Sequence, residues 1–436
     1  MAVEKYLSEE ESNFFKSGEI IFKDETDKIQ IKGGTLPGLT RYLTNTHQPD
    51  GDFVHSFLLT YSCFISSKQF LNFLLERYKI SIPIEFNKDQ LMKLAFIKKG
   101  IIPVKLRVLN VLKMWVKMNF EELERSIYSQ EIENFSLSFA STLTVDRVQR
   151  SPSVMKFFEQ SSKNEVAVNK IIYPPPSILP KFENFKISDL DPLELARQIT
   201  LIDWENFSSV KAKEFLQQKW TKPETAKINS PNIMSMIDYS NSFVYWIGSE
   251  IVGLDNPKQR ANLIKLFILT ADQCRQLNNF NSLKMILAAL NSSSIQRLKK
   301  TWEFVSNKLK NLLKDLCNLM SEEKSYKNYR QTLSSCEPPC IPFLGNYCVY
   351  SIIGMYLTNL VFIEIGNRDF IENDLINFDK HQRVAKIIDE LISFQRISYQ
   401  FYPVYSIQSL IREANHLSED EIYNQSLKIE PRDETS

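Results

Sequence analysis

The chain has 436 residues, enough for two or three domains, and 43% of them are hydrophobic, with 29 Phe and 17 Tyr to build sizeable cores. The 53 basic and 52 acidic residues leave a formal net charge of +1, so overall charge gives no reason to expect nucleic acid or an anionic membrane as a partner, although local patches stay open. The six cysteines include no CxxC pair and the four histidines are scattered, which excludes the usual zinc spacings and fits free thiols in a reducing compartment.

The N-terminal segment, residues 1–28, is acidic and lacks the apolar stretch of a signal peptide. From residue 29 to residue 125, apolar residues recur at the spacing of successive amphipathic helices, and we predict a small helical bundle. The positions that carry this pattern are Phe53, Phe57, Leu58, Tyr61, Phe70, Phe73, Leu74, Leu106, Leu109, Leu112 and Trp115. Gly33 and Gly34 predict a break near the start, and they are no phosphate-binding loop because the GxxxxGK[ST] pattern is missing.

Residues 126–185 read as a linker, because the periodicity fades and Ser and Pro gather there. The run Pro174–Pro176 favours an extended polyproline conformation, so we expect a semi-rigid spacer. A proline-rich ligand for a partner domain is the alternative, although proline clusters between domains are mostly spacers.

Residues 186–412 form the larger predicted domain, which opens with a helix capped by Asp189 or Asp191 and carrying Pro192 in its first turn. Apolar repeats in the following helices predict a scaffold that contains Trp246, Leu263, Leu266 and Phe267. The helix within Ser321–Leu333 places two tyrosines beside an arginine, a pattern that suits either an interface or half-buried packing. Residues 413–436 are a polar tail, and we expect Ser418–Ser436 to be disordered.

Two periodic segments, Met355–Ile365 and Asn377–Gln395, predict a helical hairpin. The residues between them include the turn and cap types Gly366, Asn367, Asn373 and Asp374. The second segment has one apolar face, as an ordinary amphipathic helix does. The first segment is apolar round most of its circumference, which requires more than one partner surface, and a plain core helix is the alternative reading.

The stretch Ile341–Ile363 contains no charged residue and is long enough to cross a bilayer. Pro342, Gly345, Asn346 and Gly354 interrupt it, and its flanks are acidic rather than basic. We therefore predict that the chain has no transmembrane segment.

No arrangement of residues supports covalent chemistry, since GxSxG, HExxH, a His–Cys pair and a glycine-rich phosphate cradle are all missing from the sequence. We accordingly expect neither a cofactor nor a metal site, and place a hydrolase or a transferase among the least favoured functions.

The motifs in the second domain resemble, in order, those of the catalytic domain of the Ras guanine-nucleotide exchange factors. They read DPLELARQITLID (Asp191–Asp203), KINSPNI, LNNFNSL, ALNSSSIQRL, PPCIPFLG, MYLTNLVFIE and LINFDKHQRVAKII. The segments IQIKGGTLPGLTRYLT, DFVHSFLLTYSCFISSKQFLNFLLERY and KLRVLNVLKMWVKMNF resemble the Ras exchanger motif. The resemblance implies an all-α fold, with an N-terminal helical bundle and a larger helical catalytic domain from which a hairpin protrudes.

By the same resemblance, the hairpin opens the nucleotide site of a Ras-, Rap- or Ral-type GTPase. The implied catalytic residues are Thr358, Asn359, Val361, Glu364 and Ile365, and the implied GTPase contacts are Arg197, Thr200, Asn291, Tyr326, Phe343 and Arg383. Val361 stands at the apolar position that displaces metal ligands. The resemblance further implies a cytoplasmic protein that acts transiently at the inner face of membranes and contacts them only through its lipid-anchored GTPase.

The chain departs from the family pattern in two places. Ile365 stands where the family has an acidic residue before the glycine, so a carboxylate that mimics phosphate would have to come from Glu364. Asn346–Gly354 adds nine residues between PFLG and the hairpin, and we expect this insertion to loop out. These departures keep open a scaffold that binds a GTPase without efficient exchange. A helical interaction module with no GTPase partner is the third reading.

Overall fold

The computed structural model describes residues 2–23, 30–45, 50–124, 174–181, 184–345, 355–413 and 415–432. The chain divides into two compact units, which we call unit 1 (Met1–Lys170 and Ile363–Lys386) and unit 2 (Ile171–Phe362 and Ile387–Ser436). The insertion Asn346–Gly354 and most of the predicted linker lie outside the described residues. Helices make up most of the described chain, which confirms the predicted all-α class.

Unit 1 begins with a helix and a pair of short strands and continues as a helical bundle. Its elements before the linker are α1 Ala2–Lys16, β1 Ile20–Phe22, β2 Ile31–Gly34, α2 Leu36–Leu43, α3 Gly51–Thr60, α4 Ser67–Tyr78, α5 Ile84–Asn87, α6 Gln90–Phe96, a π-helical turn Ile97–Ile101 and α7 Ile102–Glu124. Local signals start several of these helices. Asp50 accepts from the Phe53 amide to cap α3, and Ser66 and Gln69 form a reciprocal capping box at α4.

The core of unit 1 is rich in aromatic residues, as the spacing predicts. Phe53, Phe57, Phe70 and Trp115 are fully buried in one cluster. Phe14 of α1 joins the same cluster, so the N-terminal helix is part of this unit although the sequence reading began the first domain at residue 29.

A small four-stranded sheet, which the all-α prediction overlooks, is part of unit 1. Its order is β1–β2–β4–β3, where β3 is Phe370–Ile371 and β4 is Leu375–Ile376. Gly34 of β2 pairs with Ile376, and a Cβ added to Gly33 would lie 2.5 Å from the Ile376 carbonyl oxygen. The glycine pair therefore permits a close approach of two strands rather than breaking the chain.

Unit 2 is built from helices of very different lengths. Before the hairpin they are α8 Pro192–Ser209, α9 Ala226–Asn229, α10 Pro231–Val252, α11 Pro257–Gln276, α12 Phe280–Asn291, α13 Ser293–Gln296, α14 Lys299–Glu303, α15 Asn307–Leu319 and α16 Glu323–Ser334. The hairpin helices are α17 Tyr356–Gly366 and α18 Phe378–Phe394, and each of them has residues in both units. After the hairpin come α19 Tyr405–Arg412 and α20 Glu419–Ile429. Three-residue 3₁₀ turns and the irregular helix Ala212–Thr221 complete the list. Among the described residues, no helix combines the length and the apolar character needed to cross a bilayer.

The long helices α8, α10, α11 and α12 pack on one another and form the core of unit 2. Trp246, Leu263, Leu266 and Phe267 are all buried, as the apolar repeats predict. Asp191 caps α8 by accepting hydrogen bonds from the Leu193 and Glu194 amides.

The expectation of a disordered C-terminal tail is wrong, because α20 forms there and packs on unit 2. Ser418 and Glu421 form a capping box that starts the helix. Ile422 is buried against Gly248, and the Glu430 carboxylate pairs with the buried guanidinium of Arg260 at 2.8 Å. One apolar residue and one buried ion pair are enough to hold a short capped helix on an existing core. The polar composition of the segment therefore did not predict this helix.

The Arg260–Glu430 pair generates a first prediction. Glu430→Ala leaves a buried guanidinium without its carboxylate, and such a loss costs about 3–5 kcal/mol. We expect urea unfolding of the full chain to show this decrease in the stability of unit 2. Asp420→Ala, an exposed change in the first turn of the same helix, serves as control and should cost less than about 1 kcal/mol. Equal effects of the two substitutions would show that α20 is not anchored by the pair.

Candidate functional site

The predicted hairpin is present, with α17 and α18 each within one residue of the predicted bounds. Its connection contains the short strands β3 and β4 and a 3₁₀ turn, Glu372–Asp374. Asp374 has a φ of 57°, a left-handed conformation that suits a turn aspartate. The turn residue types therefore mark the connection correctly, although they do not reveal its strands.

The base of the hairpin is fixed within unit 2. The Tyr356 hydroxyl donates to the Glu390 carboxylate at 2.6 Å, which joins the start of α17 to the second half of α18. The Leu357 amide donates to the Leu344 carbonyl at 3.0 Å, and Leu360 and Leu391 are fully buried. These contacts fix where α17 begins and which side of it faces the core.

The tip of the hairpin, residues 363–386, belongs to unit 1. The Phe378 ring lies 4.6 Å from the Phe53 ring and 6.2 Å from the Phe57 ring, measured between centroids. His381 lies 4.9 Å from Phe64 in the same way. Lys23 pairs with Asp379 at the edge of this cluster. An aromatic core supplied by the first part of the chain thus holds the tip.

Lys380 is the buried charge of the tip, with a side chain only 2% exposed. Its ammonium pairs with Glu364 and, at 2.6 Å, with Asp369. Burial alone would lower the pKa of Lys380, but the hydrogen bonds and negative charges of Asp369 and Glu364 outweigh burial and raise it. The Glu364 carboxylate is therefore neutralised by an internal partner and is not the free anion that the sequence reading required.

The outward face of α17 carries Asn359, Phe362 and Ile365, at intervals of three residues. Phe362 is 65% exposed and Ile365 is 72% exposed, whereas Val361 is 4% exposed. Val361 and Thr358 are thus buried in the free protein, and their implied catalytic roles stay predictions. Phe362 was missed because a helix that is apolar nearly all round does not reveal which face meets the core. The three-residue spacing of Phe362 from the polar Asn359 and from Ile365 was the sequence feature that could have assigned it to the solvent face.

Arg383 is the predicted contact on α18, and its side chain is 58% exposed. It pairs with Asp379 one turn earlier, at 2.7 Å. The Arg383 side chain is the exposed member of this pair, so its guanidinium is accessible to an acidic partner. Its role in binding stays a prediction.

Arg197 and Thr200 on α8 are mostly engaged inside unit 2. The Arg197 guanidinium donates to the Pro176 carbonyl at 3.1 Å and pairs with Glu194 at 3.3 Å. Thr200 is fully buried and accepts a hydrogen bond from the Asn279 side chain at 3.1 Å. Thr200 is therefore engaged within unit 2 in the free protein, and its implied role as a GTPase contact stays a prediction.

Tyr326 and Phe343 are also buried, with ring centroids 5.9 Å apart. Residues 324–326 adopt left-handed backbone angles at the start of α16, a conformation that helical spacing cannot predict. The Lys284 ammonium lies 5.4 Å from the Tyr326 ring and 5.7 Å from the Phe343 ring. Both rings are thus packed beside Lys284 in the free protein, and their implied roles as GTPase contacts stay predictions.

Asn291 ends α12 with an exposed side chain, as a contact residue requires. Its amide lies 3.1 Å from the Cys317 sulfur of α15. Within the part of the chain that the structure describes, no group of His, Cys, Asp and Glu side chains is arranged to hold a metal ion. The exposed members of the predicted site are thus Asn291, Asn359, Ile365 and Arg383.

Comparison with known proteins places this geometry in a family. Residues 194–382 match the RasGEF domain, and residues 30–135 match the RasGEF N-terminal motif. Ras guanine nucleotide exchange factor J of Dictyostelium discoideum is 33% identical over 428 residues, which cover 94% of this chain and 49% of that protein. Ras guanine nucleotide exchange factor A of the same organism is 31% identical over 430 residues, covering 94% of this chain and 67% of that protein.

A relative from a different organism gives a similar match. Protein son of sevenless of Drosophila melanogaster is 31% identical over 458 residues, covering 95% of this chain and 28% of that protein. The chain spans about half the length, or less, of the first relatives that it matches.

The burial of His381 generates a second prediction. Burial, together with the Lys380 charge, lowers the pKa of His381 to about 4 from its usual 6.5. The unfolded chain therefore takes up a proton between pH 6.5 and pH 4 that the folded chain excludes, so the stability of unit 1 should fall as the pH falls through this window. We expect His381→Asn to reduce that slope in urea unfolding followed at several pH values.

The matched control is His416→Asn, the same substitution at an exposed histidine of unit 2, and the slope of His381→Asn is compared with the slope of this variant. Burial raises the pKa of Asp203 in unit 2 to about 6, which gives a slope of opposite sign, so each variant is compared with the wild type at the same pH. Identical slopes for the wild type and His381→Asn would contradict the assignment.

Proposed function

Because the chain belongs to the Ras guanine-nucleotide exchange factor family, we propose that it promotes GDP release from, and GTP loading of, a small GTPase of the Ras family. The observation that carries the proposal is the exposed face of α17, where Asn359, Phe362 and Ile365 stand on a hairpin anchored at its base and at its tip. An exposed aromatic on a fixed element suits a protein partner.

The mechanism that we propose is a competition between the hairpin and the nucleotide. A Ras-like GTPase holds its nucleotide through contacts to the phosphates and through a magnesium ion that requires oxygen ligands. A hairpin that binds the nucleotide-free form more tightly than the loaded form weakens nucleotide binding by the same factor. The exchange factor needs neither a cofactor nor a covalent step for this, and GTP enters afterwards because it is the more abundant nucleotide in cells.

Phe362 and Ile365 are the side chains that we propose compete with the nucleotide and its metal ion. Neither side chain offers an oxygen, so their presence at the metal position would leave magnesium without ligands. Ile365 occupies the position of the family carboxylate, and Glu364 is paired with Lys380. We propose that this protein displaces the metal and the switch by apolar contact and does not mimic phosphate with a carboxylate. Arg383 would then contact the acidic side of the second switch.

We also propose a partner class and a place of action. The partner is a Ras-, Rap- or Ral-type GTPase, and the exchange factor acts from the cytoplasm at the inner face of membranes. The rival function is a scaffold that binds a GTPase without efficient exchange, and the Glu364–Lys380 pair is the observation that favours it.

A fluorescent-nucleotide release assay against purified Ras-, Rap- and Ral-type GTPases tests the proposal. We expect the full chain to accelerate release from one of the three types far more than from the others. Binding to a nucleotide-free GTPase without accelerated release would favour the scaffold. Neither binding nor release with any of the three types would sink the proposal.

Variants on α17 and α18 generate the third prediction. Phe362→Asp should lower the exchange rate by roughly thirtyfold or more, since an interface aromatic contributes about 2 kcal/mol or more. The melting temperature should stay unchanged because the side chain is exposed. Val361→Asp, by contrast, buries a carboxylate and should lower the melting temperature. Arg383→Glu should slow exchange most at low salt.

Tyr405→Asp is the control for Phe362→Asp, because Tyr405 is an exposed aromatic on a different helix. Arg396→Glu is the control for the charge reversal, since Arg396 is exposed and lies beyond the end of α18. Normal exchange by Phe362→Asp, together with lost exchange by Tyr405→Asp, would move the site away from α17.

A further inference from the structure

The second face of interest lies on α6 and α7 of unit 1, far along the chain from the hairpin. Leu91 and Leu94 of α6 are exposed, as are Ile102, Leu106, Met114 and Met118 of α7. Ile102 and Leu106 are 44% and 46% exposed, although their neighbours Val104 and Val108 are buried in the unit 1 core. Exposed apolar residues that lie together, rather than singly, are typical of interaction sites.

The α7 residues form one stripe. Ile102, Leu106, Met114 and Met118 are separated by multiples of four residues, so at 100° per residue they span less than half of the helix circumference. The opposite side carries the buried residues Val104, Val108 and Trp115. The helix thus has a core face and a second apolar face that points to solvent.

The same segment is strongly basic. Between Gln90 and Asn119 there is no acidic residue, and the basic residues are Lys93, Lys98, Lys99, Lys105, Arg107, Lys113 and Lys117. Lys98 and Lys117 are exposed, and the helical spacing puts Lys117 on the same side of α7 as Leu106 and about one turn from Met114. Lys99 and Lys105 are engaged within unit 1, by Glu4 and by the Tyr78 ring respectively. The near-zero net charge of the whole chain conceals this local excess.

We propose that the α6–α7 face is a docking surface for an anionic lipid membrane. Exposed Leu, Ile and Met beside Lys and Arg is the pattern of helices that lie in the interface plane, with apolar side chains among the acyl chains and ammonium groups among the headgroups. A second copy of this chain fits poorly, because it would bring two basic faces together. Nucleic acid would use the lysines but would leave the aliphatic stripe without a partner.

This surface changes the expectation that the protein reaches membranes only through its GTPase. Binding would be peripheral, since none of the described helices can cross a bilayer. The inference is independent of the proposed exchange activity, because lipid vesicles can be tested without any GTPase.

Vesicle co-sedimentation with the full chain tests the proposal, using phosphatidylcholine vesicles with and without 30% phosphatidylserine. We expect binding to the anionic vesicles only, with a decrease at high salt. Lys98→Glu/Lys117→Glu should lower the partition coefficient by roughly thirtyfold, about fivefold for each lysine lost from the surface and more for reversal. Leu106→Gln/Met114→Gln should also weaken binding, because it removes the apolar contribution.

The control variant is Lys308→Glu/Lys314→Glu, which makes the same charge change at exposed positions of α15 in unit 2 and should bind like the wild type. No binding of the wild-type chain to anionic vesicles overturns the proposal, as does binding that the α6–α7 variants leave unchanged. A third outcome also overturns the proposal, in favour of a general polyanion site. In that outcome the lysine variant weakens vesicle binding, Leu106→Gln/Met114→Gln does not, and duplex oligonucleotide competes with the vesicles for the protein.

Discussion

The insertion of the Phe378 ring beside Phe53 and Phe57 is the contact on which the geometry of the candidate site depends. Phe378 starts α18, and its burial makes the tip of the hairpin part of the core of unit 1. Full burial of one such side chain contributes about 1.5–3 kcal/mol, and aromatic pairs add about 0.5–1.5 kcal/mol. The β2–β4 pairing beside it requires the absence of a side chain at Gly33. One apolar insertion and one close backbone approach thus fix the tip.

The anchoring leaves a defined surface for a partner. The base of α17 is held in unit 2 by the Tyr356–Glu390 hydrogen bond and by buried leucines, and the tip is held in unit 1. Phe362 lies in unit 2, and its apolar side chain remains exposed to solvent. An apolar hairpin without these contacts would lose conformational entropy when it binds a partner, whereas an anchored hairpin presents side chains that are already oriented.

The sequence predicted the hairpin, the aromatic bundle and the scaffold helices, because each depends on a periodicity that runs over many residues. It could not assign Val361 and Phe362 to their faces, since adjacent apolar residues satisfy the same pattern and only the packed neighbours distinguish them. The strands of two to four residues were missed because they are too short to show a periodicity, and the β2–β4 pairing joins segments that are distant in the chain. The burial of Tyr326 could not be predicted because residues 324–326 are left-handed, and the capped helix α20 was missed because its polar composition resembles that of a flexible tail.

The exposed apolar residues of α6 and α7 could not be predicted from the sequence for a different reason. The excess of lysine between residues 90 and 119 was visible in the sequence, yet the apolar residues among the lysines read equally well as core positions. Exposure, which the sequence does not give, separates Leu106 from Val108. Composition therefore indicates a charged segment, and only the fold indicates which apolar residues remain for a partner.

The central claim is that unit 1 holds the hairpin tip in the orientation that exchange requires. The most direct measurement is hydrogen exchange of residues 375–386 together with nucleotide release, both on full-length Phe378→Ala, with the exposed tip residue Phe370→Ala as control. The account predicts that Phe378→Ala loses amide protection at the tip and releases nucleotide slowly, while the helices of unit 2 stay protected, and that Phe370→Ala keeps its amide protection. Fast release from Phe378→Ala despite an unprotected tip would contradict it.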